Sequence, residues 1–289
     1  MKLRTKVRKI ISKFLSDKMY IKLQYRFITG RTLNLKNPKR FNEKLQWLKL
    51  YDHKPEYTTY VDKYRVKEYV KNKIGEKYII PTIGVWPSAS EIDITELPDQ
   101  FVLKCNHDSK SVFICKDRRK FKFNEVLLKL NEALKKNQFY YGREWPYKNV
   151  HPLIIAEKYM EDESGGLQDY KVMCFNGKAK LIQVHQGRFT DHYTHDIYDR
   201  DWIHQKFNQK GEVYADKILD KPVFLEEMLL LSEILSKNIP QIRVDWYYVN
   251  NQLYFGEMTF FDAAGYLDFV PDEYNEIIGN WISLPEKNV

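Results

Sequence analysis

The sequence predicts an α+β protein in which antiparallel strand pairs follow a basic helical N-terminal region. Three observations carry this. Residues 101–115 read as strand, polar loop and strand, a second strand pair flanks Asn176-Gly177, and a third flanks Asn250 to Gln252. An Asn-Gly step between apolar runs marks a tight hairpin. With 289 residues the chain is long enough to bury a large core and to divide into two lobes.

The elements follow in order. Leu3, Val7, Ile10, Ile11, Phe14, Leu15 and Met19 recur at helical spacing among Lys2, Arg4, Lys6, Arg8, Lys9 and Lys13, which predicts a basic amphipathic helix. Residues 42–51 and 57–73 read as helices, interrupted at Pro38 and Pro55 and closed at Gly75. Residues 78–83 read as a short strand through Pro81, 101–106 and 112–115 as a strand pair, and 123–136 as an amphipathic helix. A buried strand over 153–156 runs into Glu157 to Met160, and strands over 170–175 and 180–185 turn at Asn176-Gly177. The segment 183–198, with His185, Arg188, His192 and His195, reads as a polar loop, and a helix over 224–237 leads to the terminal strands 241–249 and 253–260.

Composition narrows the function classes. Hydrophobic content of 43% and aromatic content of 15% describe a globular chain, and the three cysteines lack metal-type spacing, which suits a reducing cytoplasm. The start lacks the apolar core of a signal peptide, and no apolar run reaches the roughly 18 residues of a membrane span. The net charge of +8 averages two unlike parts: residues 1–80 hold 22 Lys and Arg against 7 Asp and Glu, or +15, leaving −7 for the rest. The basic helix suits an anionic membrane surface, an anionic glycan or simple packing on the body, and these readings stay open. No nucleic-acid reading module accompanies it, so no nucleic-acid partner is expected.

The terminal strands bring chemistry together. Arg243, Asp245 and Tyr247 alternate with apolar residues, and Glu257 and Thr259 share a face on the returning strand. A three-residue loop at Asn250 to Gln252 would set Asp245 opposite Glu257 and Arg243 opposite Thr259, about 5 Å apart. A two-residue Asn250-Asn251 turn would pair Asp245 with Gly256 and send Glu257 to the other face, so shared placement demands an odd loop or a bulge. Two carboxylates that close repel unless a cation lies between them, which makes Asp245, Glu257 and Thr259 a candidate metal site. Scattered charges on an exposed strand edge are the alternative. Upstream, Asp62-Lys63 opens a helix. Lys104 ends a strand before the loop His107-Asp108-Ser109-Lys110-Ser111, where backbone N–H groups and a cation could cradle phosphates. Glu157 to Met160 suits an adenine edge.

Taken together these segments resemble the ATP-grasp fold, specifically its TupA-like branch, named for teichuronopeptide biosynthesis and common in bacterial surface-polysaccharide loci. The resemblance runs through 38–47 (PKRFNEKLQW), 62–67, 97–109 (LPDQFVLKCNHDS), 144–148 (EWPYK), 157–160, 169–177 (DYKVMCFNG) and 243–260. It implies a basic helical region over 1–80, a small antiparallel-sheet lobe over 81–156 and a large one over 157–289. It further implies that Lys104 contacts nucleotide phosphates; in the loop that follows, Ser109 and Lys110 are candidate phosphate contacts, Lys110 by its charge. Glu157 and the Met160 backbone would hold adenine, and Asp169 or a neighbouring acid the ribose. Arg243 would clamp phosphate and Asp245 and Glu257 would carry magnesium. Two departures stand out. Lys110 and Ser111 replace a glycine pair that favours close backbone approach, and Thr259 stands where an Asn metal ligand is usual.

The resemblance leads to the expectation of an ATP- and Mg2+-dependent carboxylate–amine ligase in capsule, O-antigen or wall-polymer assembly. Its partners would be a nucleotide and a lipid-linked glycan, uronic-acid or amino-acid acceptor; the loop 183–198 is the natural acceptor side, with Arg188 as a carboxylate clamp because its fork binds bidentately. A cytoplasmic location with peripheral attachment to the inner membrane face is expected. The alternative is a glycosyltransferase on the same scaffold, with a nucleotide-sugar in place of ATP; the Lys110-Ser111 departure favours it.

Overall fold

The computed structural model describes residues 15–161, 168–187 and 193–287. Ser16 caps α1 (Asp17–Thr29) by accepting the Met19 N–H, so a new helix starts where the sequence reading let one basic helix run through Met19. Most of that expected helix lies outside the described residues. α2 (Phe41–Tyr51), α3 (Glu56–Val61) and α4 (Val66–Ile74) follow. The single helix expected over 57–73 is broken because the Asp62 carboxylate accepts the N–H groups of Tyr64 and Arg65, which ends α3 and opens α4.

Four antiparallel strands form the smaller sheet in the order β1-β4-β2-β3, where β1 is Thr82–Trp86, β2 Phe101–Cys105, β3 Val112–Cys115 and β4 Ile154–Lys158. The strand expected over 78–83 is displaced to β1. Pro81 has no N–H for the ladder, so it precedes the strand while its carbonyl accepts the Lys158 N–H at 3.0 Å. Alternation gives the sheet two unlike faces. Phe101, Leu103, Cys105, Ile154 and Ala156 pack against Val126, Leu130 and Ala133 of α5 (Phe123–Leu134). The other face presents Thr82, Lys104 and Glu157. A short α6 (Phe139–Gly142) separates α5 from β4.

The larger sheet runs β10-β9-β5-β6-β7, all antiparallel: β5 Gln168–Phe175, β6 Lys178–Gln186, β7 Thr194–Asp199, β9 Gln241–Val249 and β10 Gln252–Thr259. β8 (Asn208–Gln209) pairs separately with β11 (Phe269–Val270). One face of the larger sheet, with Val172, Cys174, Val244 and Trp246, is covered by α7 (Leu225–Leu235), whose Ser232 accepts the Trp246 indole N–H at 2.8 Å. Phe41, Leu45, Tyr57, Val61, Val66 and Val70 of α2 to α4 share this core, as does Ile278 of α8 (Tyr274–Asn280). Residues 156 and 157 both lie in β4, and the helices within 41–74 contribute to the core of the larger sheet.

The register of the terminal hairpin differs from the expected loop but reaches the same pairing. Asn250 and Asn251 both have positive φ, 50° and 61°, forming a two-residue turn. This turn alone would put Glu257 on the wrong face. A bulge at Gly256 inserts one extra residue between the Phe255–Trp246 and Glu257–Asp245 pairs and restores the parity. Glycine eases the fit there: an added Cβ would lie 3.0 Å from Tyr247 Cε2 and 3.1 Å from the Asp245 carbonyl, tighter than most such contacts.

Candidate active site

Two clusters of paired charges, one on each sheet, are joined by the segment from Asp62 to α4, through Lys67 in one and Lys63 in the other. On the smaller sheet, Lys104 Nζ lies 2.5 Å and Lys67 Nζ 2.7 Å from the two oxygens of Glu157. Lys67 also donates to the Thr82 hydroxyl and the Ile80 carbonyl, which uses all three of its N–H bonds. Burial alone would push the Glu157 carboxyl up, but the two ammoniums overcome it and hold it below the usual range. Burial in turn pulls Lys67 down. Of this trio the sequence reading named Lys104 and Glu157; Lys67 lay within the 62–67 motif without a role.

On the larger sheet, Arg243 grips Asp245 bidentately, Nε to Oδ1 at 2.7 Å and NH2 to Oδ2 at 2.9 Å. The same guanidinium meets Asp262 at 2.8 Å through NH1, and Glu257 at 3.5 Å and Thr259 at 3.3 Å through NH2. Asp245 and Glu257 do project onto one face from paired strands, and the cation shared between them here is Arg243. Lys171, directly opposite Asp245 in the register, bonds it at 2.6 Å and Asp169 at 2.7 Å. Asp169 is buried in this cluster, its carboxylate engaged by Lys171.

Burial tends to raise the carboxyls of Glu257, Asp262 and Asp245, and the ion pairs oppose it with unlike results. For Glu257, Lys63 and Arg243 outweigh burial and hold the group far below its ordinary range. Asp262 is likewise lowered against burial by Arg243. Asp245 is most deeply enclosed, and burial, reinforced by Glu257 and Asp169, pushes it up against the pull of Arg243 and Lys171.

Lys63 joins the halves. Its Nζ donates to the Asp108 carbonyl in the loop after β2 at 2.9 Å and lies 3.2 Å from Glu257 Oε2, while its N–H bonds the Asn106 carbonyl at 3.0 Å. The loop itself is self-braced: the Ser111 hydroxyl donates to Asp108 and accepts the Cys105 N–H. None of residues 107–111 has positive φ, so Lys110 and Ser111 fit where the related motif carries glycines without backbone strain. Ser109 and Lys110 are exposed at its tip, and Met160 follows β4 half-buried.

Asp262, like Lys67 and Lys171, is a residue to which the sequence assigned no role. Asp262 lies beyond the strand pattern, and the motif at 38–47, with Lys49 just after it, indirectly fixes its surroundings. Gln46 and Lys49 donate to the carbonyls of Gly265 and Ala264, at 2.6 and 2.5 Å, and Asn42 to that of Leu267 at 3.1 Å. Arg40 pairs with Asp268 and Asp272. These contacts tie the segment carrying Asp262 to α2.

The expected polar acceptor loop over 183–198 is corrected in part. β6 and β7 occupy most of it, and His195 is fully buried in β7 rather than solvated, its Nδ1 bonded to Asn208 Oδ1. That oxygen also accepts the Gln209 N–H, so His195 donates from Nδ1. Arg188 and His192 lie outside the described residues.

Magnesium prefers hard oxygens and takes one or two carboxylates beside substrate phosphates. Among the described residues no group of three or more His, Cys, Asp or Glu forms a metal cage by itself. Of the carboxylates in this cluster, Glu257 and Asp262 are the more accessible, at 30% and 22% exposure against 2% for Asp245, whose two oxygens are held by Arg243 and Lys171. The Thr259 hydroxyl donates to Glu257 at 3.2 Å, orienting that carboxylate.

A profile of the TupA-like ATPgrasp family matches residues 43–283. No curated protein matches the chain. Among solved structures, D-alanine–D-alanine ligase from Bacillus anthracis in complex with ATP is 17% identical with a TM-score of 0.40, covering 70% of this chain and 54% of that one. The corresponding ligase from Helicobacter pylori is 14% identical with a TM-score of 0.48, covering 86% and 68%. L-amino acid ligase from Bacillus licheniformis is 11% identical with a TM-score of 0.45, covering 87% and 57%. The chain thus spans little more than half the length of the first of these relatives.

Proposed function

Because the chain belongs to the TupA-like ATP-grasp family, we propose that it is an ATP- and magnesium-dependent ligase joining a carboxylate to an amine in bacterial surface-polysaccharide assembly. The observation that carries this is a pair of ion-paired clusters linked through residues 63–67, with Lys104 and Lys67 on Glu157 and Arg243 and Lys63 on Glu257. Such a set binds an incoming phosphate chain by exchange of ion partners. Lys104 takes phosphate oxygens while Glu157, itself held by the fully bonded Lys67, keeps it oriented. Arg243 offers a planar fork to the transferring phosphoryl group and offsets the charge that spreads over its oxygens. Magnesium, when bound with the nucleotide at Asp245 and Glu257, supplies further positive charge to the phosphates.

The reaction has two steps. A carboxylate oxygen of the acceptor attacks the γ-phosphorus, and the bond to the ADP oxygen breaks. An amine then attacks the acyl carbon, phosphate leaves with the electrons of the C–O bond, and the amine proton passes to solvent or a base. The result is an amide, with ADP and phosphate. Chain residues hold and orient, and no covalent protein intermediate is required.

The rival reading, a glycosyltransferase taking a nucleotide-sugar, draws on Lys110 and Ser111 in place of glycines. A thermal-shift panel of ATP, ADP, UDP, GDP and nucleotide-sugars, with and without magnesium, separates the two, since a ligand that binds the native state raises its melting temperature. Stabilisation by ATP with magnesium, lost in Lys104→Ala, is expected. Stabilisation by UDP-sugars alone would overturn the ligase reading.

A further inference from the structure

α1 presents a feature that the active-site chemistry does not use. Its residues Tyr20, Ile21, Gln24 and Tyr25 are buried against the body. Gln24 donates to the Tyr141 carbonyl at 3.1 Å and accepts the Tyr266 hydroxyl at 2.7 Å, and Tyr25 donates to Asn42 at 2.8 Å. The helix is therefore fixed by one face. On the outward face Met19, Leu23 and Phe27, at successive four-residue steps, form a continuous apolar ridge that is 55%, 57% and 88% exposed. At about 100° per residue, Lys18, Lys22 and Arg26 line the side of this ridge away from the body, all exposed. Asp17, the helix's single acid, is paired with Arg143 at 2.7 Å, which leaves the outward face basic.

We propose that α1 is a docking helix that seats the Met19-Leu23-Phe27 ridge in an anionic lipid surface, with Lys18, Lys22 and Arg26 at the headgroups. A narrow apolar ridge beside a basic stripe is the pattern of a helix lying in a membrane interface. Charge selects this occupant. Two copies meeting through the ridge would bring their basic stripes together, whereas an anionic leaflet complements them. Residues 1–14, which lead into α1, add six basic residues and no acid. The inference is independent of the reaction catalysed, and among the described residues no helix is long and apolar enough to cross a membrane.

The test is co-sedimentation of the full chain with vesicles of phosphatidylcholine alone or containing about a third phosphatidylglycerol. Binding only to the anionic vesicles, released by salt, is expected. Leu23→Ser with Phe27→Ser should weaken it about tenfold while leaving circular dichroism and oligomeric state unchanged, because both side chains are exposed. Lys22→Glu with Arg26→Glu should weaken it independently. Equal binding by the Leu23/Phe27 variant would mean that charge alone attracts the lipid, and would overturn the proposal. So would absence of binding by the unaltered chain, or conversion of a dimer to a monomer by the Leu23/Phe27 change, which would assign the ridge to a second copy.

Discussion

Glu157 sits between two lysines in a buried setting, so removing its charge and removing one of theirs are unequal acts. Glu157→Gln leaves Lys67 and Lys104 enclosed with like charges and should cost about 3–5 kcal/mol in urea unfolding, while Lys104→Met leaves one ion pair intact and should cost clearly less. An equal cost for the two changes would argue against the triad. The acid dependence follows from the same geometry. The Glu157 group is lowered on folding from its ordinary value of 4.5, so its contribution to stability is fully present above about that pH and is lost as pH falls through the lowered folded value. Glu157→Gln should therefore flatten the acid limb of the stability profile. At this scale the sequence was informative where a residue type was uncommon in its setting: Lys104 ending an apolar strand, Asp245 and Glu257 alternating with apolar neighbours. It was silent on Lys67, Lys171 and Asp262. Lysines are abundant in this chain, and the partners of these residues come from distant segments that no local spacing links.

The terminal hairpin shows how an element can reach the expected face by another route. Its turn is one residue shorter than the expected loop, and Gly256 supplies the missing residue. Deleting Gly256 should rotate Glu257 and Thr259 to the opposite face, abolish ATP-dependent turnover and remove magnesium-dependent stabilisation by nucleotide. Gly256→Ala, which only adds a Cβ close to Tyr247 and the Asp245 carbonyl, should cost about 1–3 kcal/mol in unfolding free energy. Retained turnover after the deletion, measured by ADP release, would show that the Asp245–Glu257 pairing is not required. Gly256 was visible in the sequence, but a bulge and a longer loop give the same parity, and only the fold distinguishes them. β7 was less legible. Its residues 195–198 are buried on both faces, so His195 and Asp196 lie inside where a period-two pattern would place one of them outside. The break of Tyr57–Lys73 into α3 and α4 was foreshadowed by Asp62, whose capping role the sequence allowed.

Across the whole molecule, the small sheet offers Lys104 and Glu157, the large sheet offers Arg243, Asp245 and Glu257, and Lys63 with Lys67 bridges them from one short stretch of chain. The N-terminal helices are thus part of the site's frame as well as of the core. The sequence made the two-sheet α+β plan legible through its hairpins and its family-like segments. It could not show that helices 41–74 are integral to the larger sheet's core, because long-range packing leaves no local period. The most direct measurement is nucleotide release: ADP and phosphate from ATP with magnesium and a panel of amino-acid and uronic-acid acceptors, run beside UDP release from UDP-sugars. ADP and phosphate released in equal amounts, dependent on an acceptor carboxylate and an amine and lost in Arg243→Ala, is the expected result. Release of UDP without ADP would contradict it.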